Sequence, residues 1–480
     1  MQEKKSYKVY LIFFVLILVY LVFAIQYSPI FEKLGSDKEV FQYIGMLIKN
    51  NKYPYTDAFD HKPPIIYLVN YLGCLFTPNS TWGIFIILNF MGFFSALLVY
   101  KAALNRFQTF ILPMLICVAF FCVNNSNIIL QEGNLTRQIA AFLTIWVIFL
   151  IFTNKRTKIK SILIGFIIGI IFFTQQNEVL GGVILSGYYL MFKKNFSFNT
   201  LKSILENITF FTLGLLIPFI GTLLIVNHWD NYGDFINQVF LFNFDNYIED
   251  KSFITKIAAV VYRFATIAYL NKVLLIIILL TPVSLLLSKI DEKKWHIDPK
   301  FIVLFTALIF QIISTSISGK TYGHYFLMFV PYIIFMFIFS FYEKRTNYKN
   351  FLLIALVGVL IYHSVSTLSY HKPNNSLLEG LTKEVISVKN TEGQFYSLNG
   401  RYLRVNFNLN ITAPSKHIYT HFMNEEVGKE IIEDLRINKT KYILFDIRED
   451  HIIPESLKSF ITLNYKETMI HKDHILFKRK

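Results

Sequence analysis

Apolar runs long enough to cross a lipid bilayer recur along this chain, and no other sequence feature restricts its fold as severely. A spanning helix takes about 20 largely apolar residues, and in the hydrocarbon every backbone polar group must be satisfied within the segment. Eleven runs can be drawn, at about 8–26, 82–100, 109–124, 138–153, 160–174, 178–192, 207–227, 272–288, 300–318, 325–341 and 351–368. Composition agrees: 54% of the 480 residues are hydrophobic, 16% are charged, and the mean hydropathy is +0.45. A soluble domain is about a quarter charged. A secreted soluble protein, a cytosolic metabolic enzyme and a disordered chain are excluded. The first run has no small-residue cleavage site and reads as an uncleaved span.

The expected fold is an all-α polytopic membrane domain of about 11 transmembrane helices over residues 1–368, with outer loops 27–81 and 228–271. A small soluble α/β domain follows at 369–480. There, Lys441–Asp446 and Ile475–Lys478 read as strands and Glu425–Ile437 as a helix. No Gly-rich nucleotide-binding fingerprint accompanies them.

The net charge of +15 is carried by short clusters between apolar runs: Lys4, Lys5 and Lys8; Lys101 and Arg106; Lys155, Arg156, Lys158 and Lys160; Lys193 and Lys194; Lys289, Lys293 and Lys294; Lys344, Arg345 and Lys349. These occupy alternate connections, so they read as cytoplasmic loops of a plasma (inner) membrane protein, not as a nucleic-acid surface. The N-terminus is then cytoplasmic. Segments 27–81, 125–137, 175–177, 228–271, 319–324 and 369–480 are extracytoplasmic. Three cysteines, Cys74, Cys117 and Cys122, supply neither a disulfide framework nor a cysteine zinc site.

The unusual polar residues gather on that outer side, which suggests chemistry at the membrane surface. In Gly35–Tyr67, Ser36 and Glu39 fit a capping box before the periodic run Val40, Phe41, Ile44, Leu47, Ile48. Asp37 then lies in the first turn, as an ordinary helix-start acid or as a general base that takes a proton from an acceptor hydroxyl or amine. Pro63 and Pro64 fix the chain after His61 and Lys62. Lys62 can pair with a phosphate, or with ordinary lipid headgroups. Asp57, Asp60 and His61 are types that ligate divalent metals, although spacing alone supports this little.

Asp37 with Glu39, Tyr53-Pro54-Tyr55, and His61-Lys62-Pro63-Pro64 resemble the first outer loop of GT-C glycosyltransferases. The resemblance is to the protein mannosyltransferase / aminoarabinose transferase-like branch, glycosyltransferase family 39, and extends over about 8–368. It implies a polyprenyl-phosphate-linked sugar donor and transfer on the outer face. Asp37 is then the catalytic base, Lys62 lies near the lipid phosphate, and Glu39 and His61 belong to the substrate-binding set. Many members carry an acid where this chain has His61, which puts an acid-dependent metal site in doubt.

Other residues on this side extend the candidate set. Glu132 matches a second acid of the family and would orient the acceptor or assist Asp37; it also reads as a solvated loop acid. Arg137 pairs with Glu132 or with a donor phosphate. Gly319–Tyr325 resembles the family's basic-aromatic-His-Tyr element, and Lys320, Tyr322, His324 and Tyr325 would bind the headgroup, with an aromatic belt as the plainer reading. Gln175, Gln176, Asn177 and Glu178 line a cavity or form a tight turn. Residues 228–271 suggest a surface-lying helix or lid, with Arg263 a further phosphate candidate.

The expectation is an inverting transfer of sugar from a polyprenyl-phosphate donor to a lipid, glycan or protein acceptor. A transporter or flippase of lipid-linked sugars is the alternative, and a non-catalytic assembly protein acting through its tail is a third.

Overall fold

The computed structural model describes residues 2–31, 33–152, 156–192, 197–292, 297–341, 354–363, 376–419, 423–471 and 473–480. Its helices, in chain order, are α1 (Gln2–Ala24), α2 (Ser36–Lys49), α3 (Ile65–Phe76), α4 (Trp82–Phe107), α5 (Ile111–Asn124), α6 (Thr136–Phe152), α7 (Lys158–Phe172), α8 (Leu180–Met191), α9 (Leu201–His228), α10 (Tyr232–Ile236), α11 (Phe253–Leu270), α12 (Lys272–Glu292), α13 (Pro299–Ser316), α14 (Val330–Ser340), α15 (Ile354–His363), α16 (Ser376–Glu384), α17 (Leu403–Leu409), α18 (Glu425–Ile437) and α19 (Glu455–Asn464). Four strands follow the last apolar helix: β1 (Phe395–Ser397), β2 (Tyr442–Asp446), β3 (Tyr465–His471) and β4 (His474–Arg479). The chain divides into two compact units, 1–26 with 88–224 and 245–370, and 27–87 with 225–244 and 371–480.

The first unit is helical. Each of the eleven apolar runs coincides with a described helix, but only five described helices are long and apolar enough to cross a membrane: α4, α9, α11, α13, and Gly323–Ser340, which joins a 3-10 turn to α14. The expected count of about 11 spans is therefore not fixed by helix length. One of the five, α11, lies in the stretch assigned to an outer loop. Lys256 and Arg263 interrupt its apolar run in the sequence. In the fold Lys256 is buried and its ammonium donates to the Ile317 carbonyl at 3.3 Å. A crossing by α11 reverses the parity of every later connection and puts both Lys289, Lys293 and Lys294 and Lys344, Arg345 and Lys349 on the side opposite the earlier basic clusters. Of the residues in those clusters, Lys155, Lys193, Lys194, Lys293, Lys294, Lys344, Arg345 and Lys349 lie outside the described residues.

Helix starts follow from capping chemistry. The side chains of Thr157, Ser252 and Asp298 accept from the backbone N–H groups of Lys160, Thr255 and Lys300 at 3.3, 3.2 and 3.0 Å, which satisfies donors that have no intrahelical partner. Gly165 of α7 and Gly214 of α9 let the two backbones approach, since a Cβ on either would strike a carbonyl of the other helix. Gly323–Ser340 is 94% buried and α9 only 17%. The former is the bundle's interior and the latter faces outward, a difference that apolar composition cannot reveal.

The second unit joins the first outer loop to the tail, so residues 27–81 belong with the tail and not with a 1–368 domain. Ala413 N–H donates to Tyr43 Oη at 2.7 Å, Phe59 N–H to Lys416 O at 2.8 Å, and Asn50 Nδ2 to Asn410 Oδ1 at 2.9 Å. The tail is α/β, as expected. Its sheet has the order β1-β2-β4-β3, with β1 and β2 parallel and the other pairs antiparallel. Alternation along the strands sends Phe395, Tyr442 and Leu444 into one core with Leu381, Val405 and Leu409. It sends Tyr396 and Ile443 into another with Ile431, Leu435 and Leu457. Helices therefore cover both faces.

Candidate functional site

In the second unit the chemistry-bearing residues lie on the first turn of α2 and on the loop before α3. The capping box does not form. Gly35 is the N-cap residue, and no side chain caps α2. Glu39 instead turns to the tail, where Arg404 donates to both of its oxygens, Nε to Oε2 at 2.6 Å and Nη2 to Oε1 at 3.0 Å. Both side chains are buried, so Glu39 is corrected from a substrate contact to a structural partner. Asp37 stays half-buried in the first turn, where the helix dipole favours its carboxylate.

The loop is shaped by its own side chains. Asp57 Oδ2 accepts from Tyr53 N–H at 2.7 Å. Tyr55 has φ 74°, a conformation that bulky residues avoid at a cost of about 1–3 kcal/mol. It is held there by its buried ring, which packs on Tyr67 and Phe235, and by its hydroxyl, which donates to Lys62 O at 2.8 Å. The result is a run of three buried charged or polar residues. Asp60 Oδ1 accepts from His61 N–H at 2.7 Å and lies 3.5 Å from His61 Nδ1. His61 Nε2 lies 2.8 Å from Lys62 Nζ. A charged Lys62 donates to Nε2, which places the ring proton on Nδ1, toward Asp60.

Burial raises the Asp60 carboxyl to about 6, and the nearby Asp37 charge adds to this, against lowering by Lys62, Tyr67 and the His61 N–H. Asp57 Oδ2 is taken by the Tyr53 N–H, and Asp57, Asp60 and His61 do not form a three-residue cluster. Among the described residues no three His, Cys, Asp or Glu side chains converge. A polar cleft of about 360 Å³ opens beside Asp57, lined also by Tyr43, Lys52, Glu392, Lys416 and Asp434.

In the helical unit the 125–137 and 319–325 segments come together. His324 Nδ1 and Gln131 Oε1 are 2.7 Å apart, and a Cβ on Gly323 would strike the Ile128 carbonyl, so only glycine allows the approach. The exposed Tyr322 ring lies parallel to His324, 6° off plane at 5.7 Å. Lys320 pairs with Glu249 at 3.1 Å, and Lys251 grips the other oxygen at 2.7 Å. Hydrogen bonds from Lys251 and Lys320 hold the Glu249 carboxyl below the usual range. Glu132 is half-buried on a turn where Gln131, Gly133 and Asn134 all have positive φ.

Arg137 pairs with Glu178 and not with Glu132. Its Nε donates to Glu178 Oε1 at 2.5 Å, and its guanidinium lies 3.3 Å from the centroid of the buried Tyr325 ring. Gln311 and Thr315 donate to the other Glu178 oxygen. Arg137 and Tyr325 are thus internal to the bundle. Glu178, read in the sequence as part of a turn or cavity lining, anchors this network. Its signal was a lone acid between two apolar runs. Arg404 and Gln238, which bonds the Asp60 N–H at 3.2 Å, carried no local signal.

No protein-family model matches the chain, and no curated protein does. Solved structures do. ArnT from Cupriavidus metallidurans in the apo state is 11% identical, with TM-score 0.64, covering 99% of this chain and 98% of that one. The same protein bound to undecaprenyl phosphate gives TM-score 0.64 at 11% identity, covering 98% of each chain. The mycobacterial arabinofuranosyltransferase AftD gives TM-score 0.50 at 9% identity, covering 97% of this chain and 40% of its own. The chain therefore shares the fold of these transferase structures over nearly its whole length, in line with the GT-C resemblance of the first-loop motifs, and five of its described helices are long and apolar enough to cross a membrane.

Proposed function

We propose that the chain is a membrane glycosyltransferase that moves a sugar from a polyprenyl-phosphate donor to an acceptor at the outer face of the membrane, with inversion. The observation that carries this reading is the pairing of a half-buried Asp37 at a helix start with a buried Asp60–His61–Lys62 run, close enough that the Asp37 charge bears on Asp60. A fold shared with a protein that binds undecaprenyl phosphate supports the same lipid class here. In the reaction the acceptor oxygen or nitrogen attacks the anomeric carbon and its proton passes to Asp37. The bond from that carbon to the phosphate oxygen breaks, and the departing phosphate keeps the electron pair. Lys62 neutralises the charge that develops on it.

In the helical unit, Glu132 is proposed to orient an acceptor. Lys320, Tyr322 and His324 are proposed to contact a polar headgroup, with Lys320 exchanging Glu249 for phosphate. The transporter alternative would place charge in the middle of spans. Arg137 lies at the start of α6 and Glu178 just before α8, so the buried pair belongs to helix ends and favours the transferase. The cytoplasmic N-terminus and extracytoplasmic tail are part of the proposal and can be tested by labelling introduced cysteines from each side.

The test is purified full-length protein with a panel of radiolabelled polyprenyl-phosphate sugars and a membrane extract as acceptor source. Turnover is expected, with a loss of about 100-fold or more in a folded Asp37→Asn protein. Equal turnover in both removes Asp37 from the role of base. Lipid movement across vesicles without sugar transfer establishes the transporter instead.

A further inference from the structure

The loop that carries Asp60, His61 and Lys62 is held from outside by amide side chains of one stretch of chain. Asn231 Nδ2 donates to Pro54 O at 2.6 Å. Gln238 Nε2 donates to Tyr55 O at 2.7 Å while its Oε1 accepts from Asp60 N–H at 3.2 Å. Asn243 Nδ2 donates to His61 O at 2.9 Å. Asn231 and Gln238 are buried, so their bonds form away from water, where leaving one unmade is expensive, and Asn243 is half-buried.

The winding of this stretch is unusual and fits the task. In an α-helix, residues five apart point about 140° away from each other. Here the chain is π-helical over Asn237–Leu241 and again over Asn243–Tyr247. Bonds from i to i+5 bring residues five apart toward one face, and π turns, rare in general, occur frequently at functional sites. Gln238 and Asn243 are so spaced. The wider turn lets both amides reach one loop.

We propose that Gln238 and Asn243 are positioning residues of the transfer site. They fix the backbone at Asp60 and His61, so that Lys62 Nζ stays on His61 Nε2 and faces the lipid phosphate at a set point. Neither touches the donor. The inference rests on the reading of Lys62 as the phosphate contact.

The experiment uses the full chain in detergent, with Gln238→Met and Asn243→Leu, which keep side-chain size, add no charge and remove the N–H donors. Two quantities are read: acetylation of Lys62 by acetic anhydride, followed by mass spectrometry, and affinity for undecaprenyl phosphate. Each variant is expected to label Lys62 several-fold faster, with Lys256 unchanged, and to bind about tenfold more weakly, the worth of one lost hydrogen bond. In a Lys62→Met background the same substitutions should leave affinity unchanged. Lys62 labelling equal to wild type in both variants overturns the proposal. So does an equal loss of affinity with and without Lys62, which marks general damage. A wild type that fails to bind undecaprenyl phosphate overturns the functional reading, and with it the catalytic meaning of the clamp, even where labelling shows that the clamp holds Lys62.

Discussion

Arg404 reaches back 365 residues to close on both oxygens of Glu39, and neither side chain has more than 7% of its surface exposed. The pair fixes the start of α2, and hence Asp37, to α17 of the tail. Removing one member leaves a buried charge without its partner, at a cost of about 3–5 kcal/mol. Glu39→Leu and Arg404→Met should each lower the melting temperature of the purified protein sharply. Glu39→Leu with Arg404→Met should recover most of that loss. A double variant as unstable as the sum of the singles would show that the pair is not what holds α2 to the tail.

The second prediction concerns the bundle. Arg137 donates from Nε to Glu178 and lays a flat cation against the Tyr325 ring, a face that lysine lacks. Arg137→Lys keeps the charge and loses the stacking. It should destabilise the protein by about 1–2 kcal/mol, the upper range of a desolvated cation–π contact. Melting of Arg137→Lys against wild type, and again in a Tyr325→Leu background where the difference should vanish, checks this.

What the sequence made legible was local. The run Lys441–Asp446 became β2 because its alternation of apolar residues serves two covered faces, and Glu425–Ile437 became α18 behind the Asn424 cap. Asp60, His61 and Lys62 were singled out because two prolines follow them in the chain. What stayed hidden was the partner of each candidate. Glu39 was read as a capping residue because Ser36 stands three residues before it, and its tie to Arg404 has no short-range trace. Arg137 was matched to the acid nearest in sequence, Glu132, whereas the fold supplied Glu178 from another helix end. The helix α11 was read as surface-lying and not as long and apolar enough to cross a membrane, because Lys256 and Arg263 interrupt its apolar run.

Gly323 supplies the third prediction. A methyl group there would meet the Ile128 backbone, which cannot rotate aside as a side chain can. Gly323→Ala should push the 319–325 segment off the 125–137 segment and cost about 1–3 kcal/mol, the usual penalty for overpacking. The His324–Gln131 bond should break with it. Gln131→Ala should then destabilise the wild type but add nothing to Gly323→Ala, a non-additivity that a double-mutant cycle measures directly. Simple additivity would mean that the two segments move independently.

The last prediction turns on Asp60. Its carboxyl is raised by burial to about 6 in the folded protein, against about 3.9 in an unfolded chain. The folded state therefore holds the proton more tightly than the unfolded state does. This contribution to stability is fully present below about pH 4 and is lost as pH rises through about 6. Asp60→Asn carries no titrating proton, so its stability relative to wild type should rise between pH 4 and 7, by up to about 3 kcal/mol, and then level off. Melting temperatures of both proteins across that range test this. A difference that stays constant with pH would mean that Asp60 keeps an ordinary carboxyl despite its burial. The same proton bears on function. Above pH 6 an ionised Asp60 draws on Lys62, and the lipid phosphate must compete with it. Affinity for undecaprenyl phosphate in Asp60→Asn should exceed that of wild type at pH 7.5 and match it at pH 5, a comparison in which titration of the phosphate itself cancels.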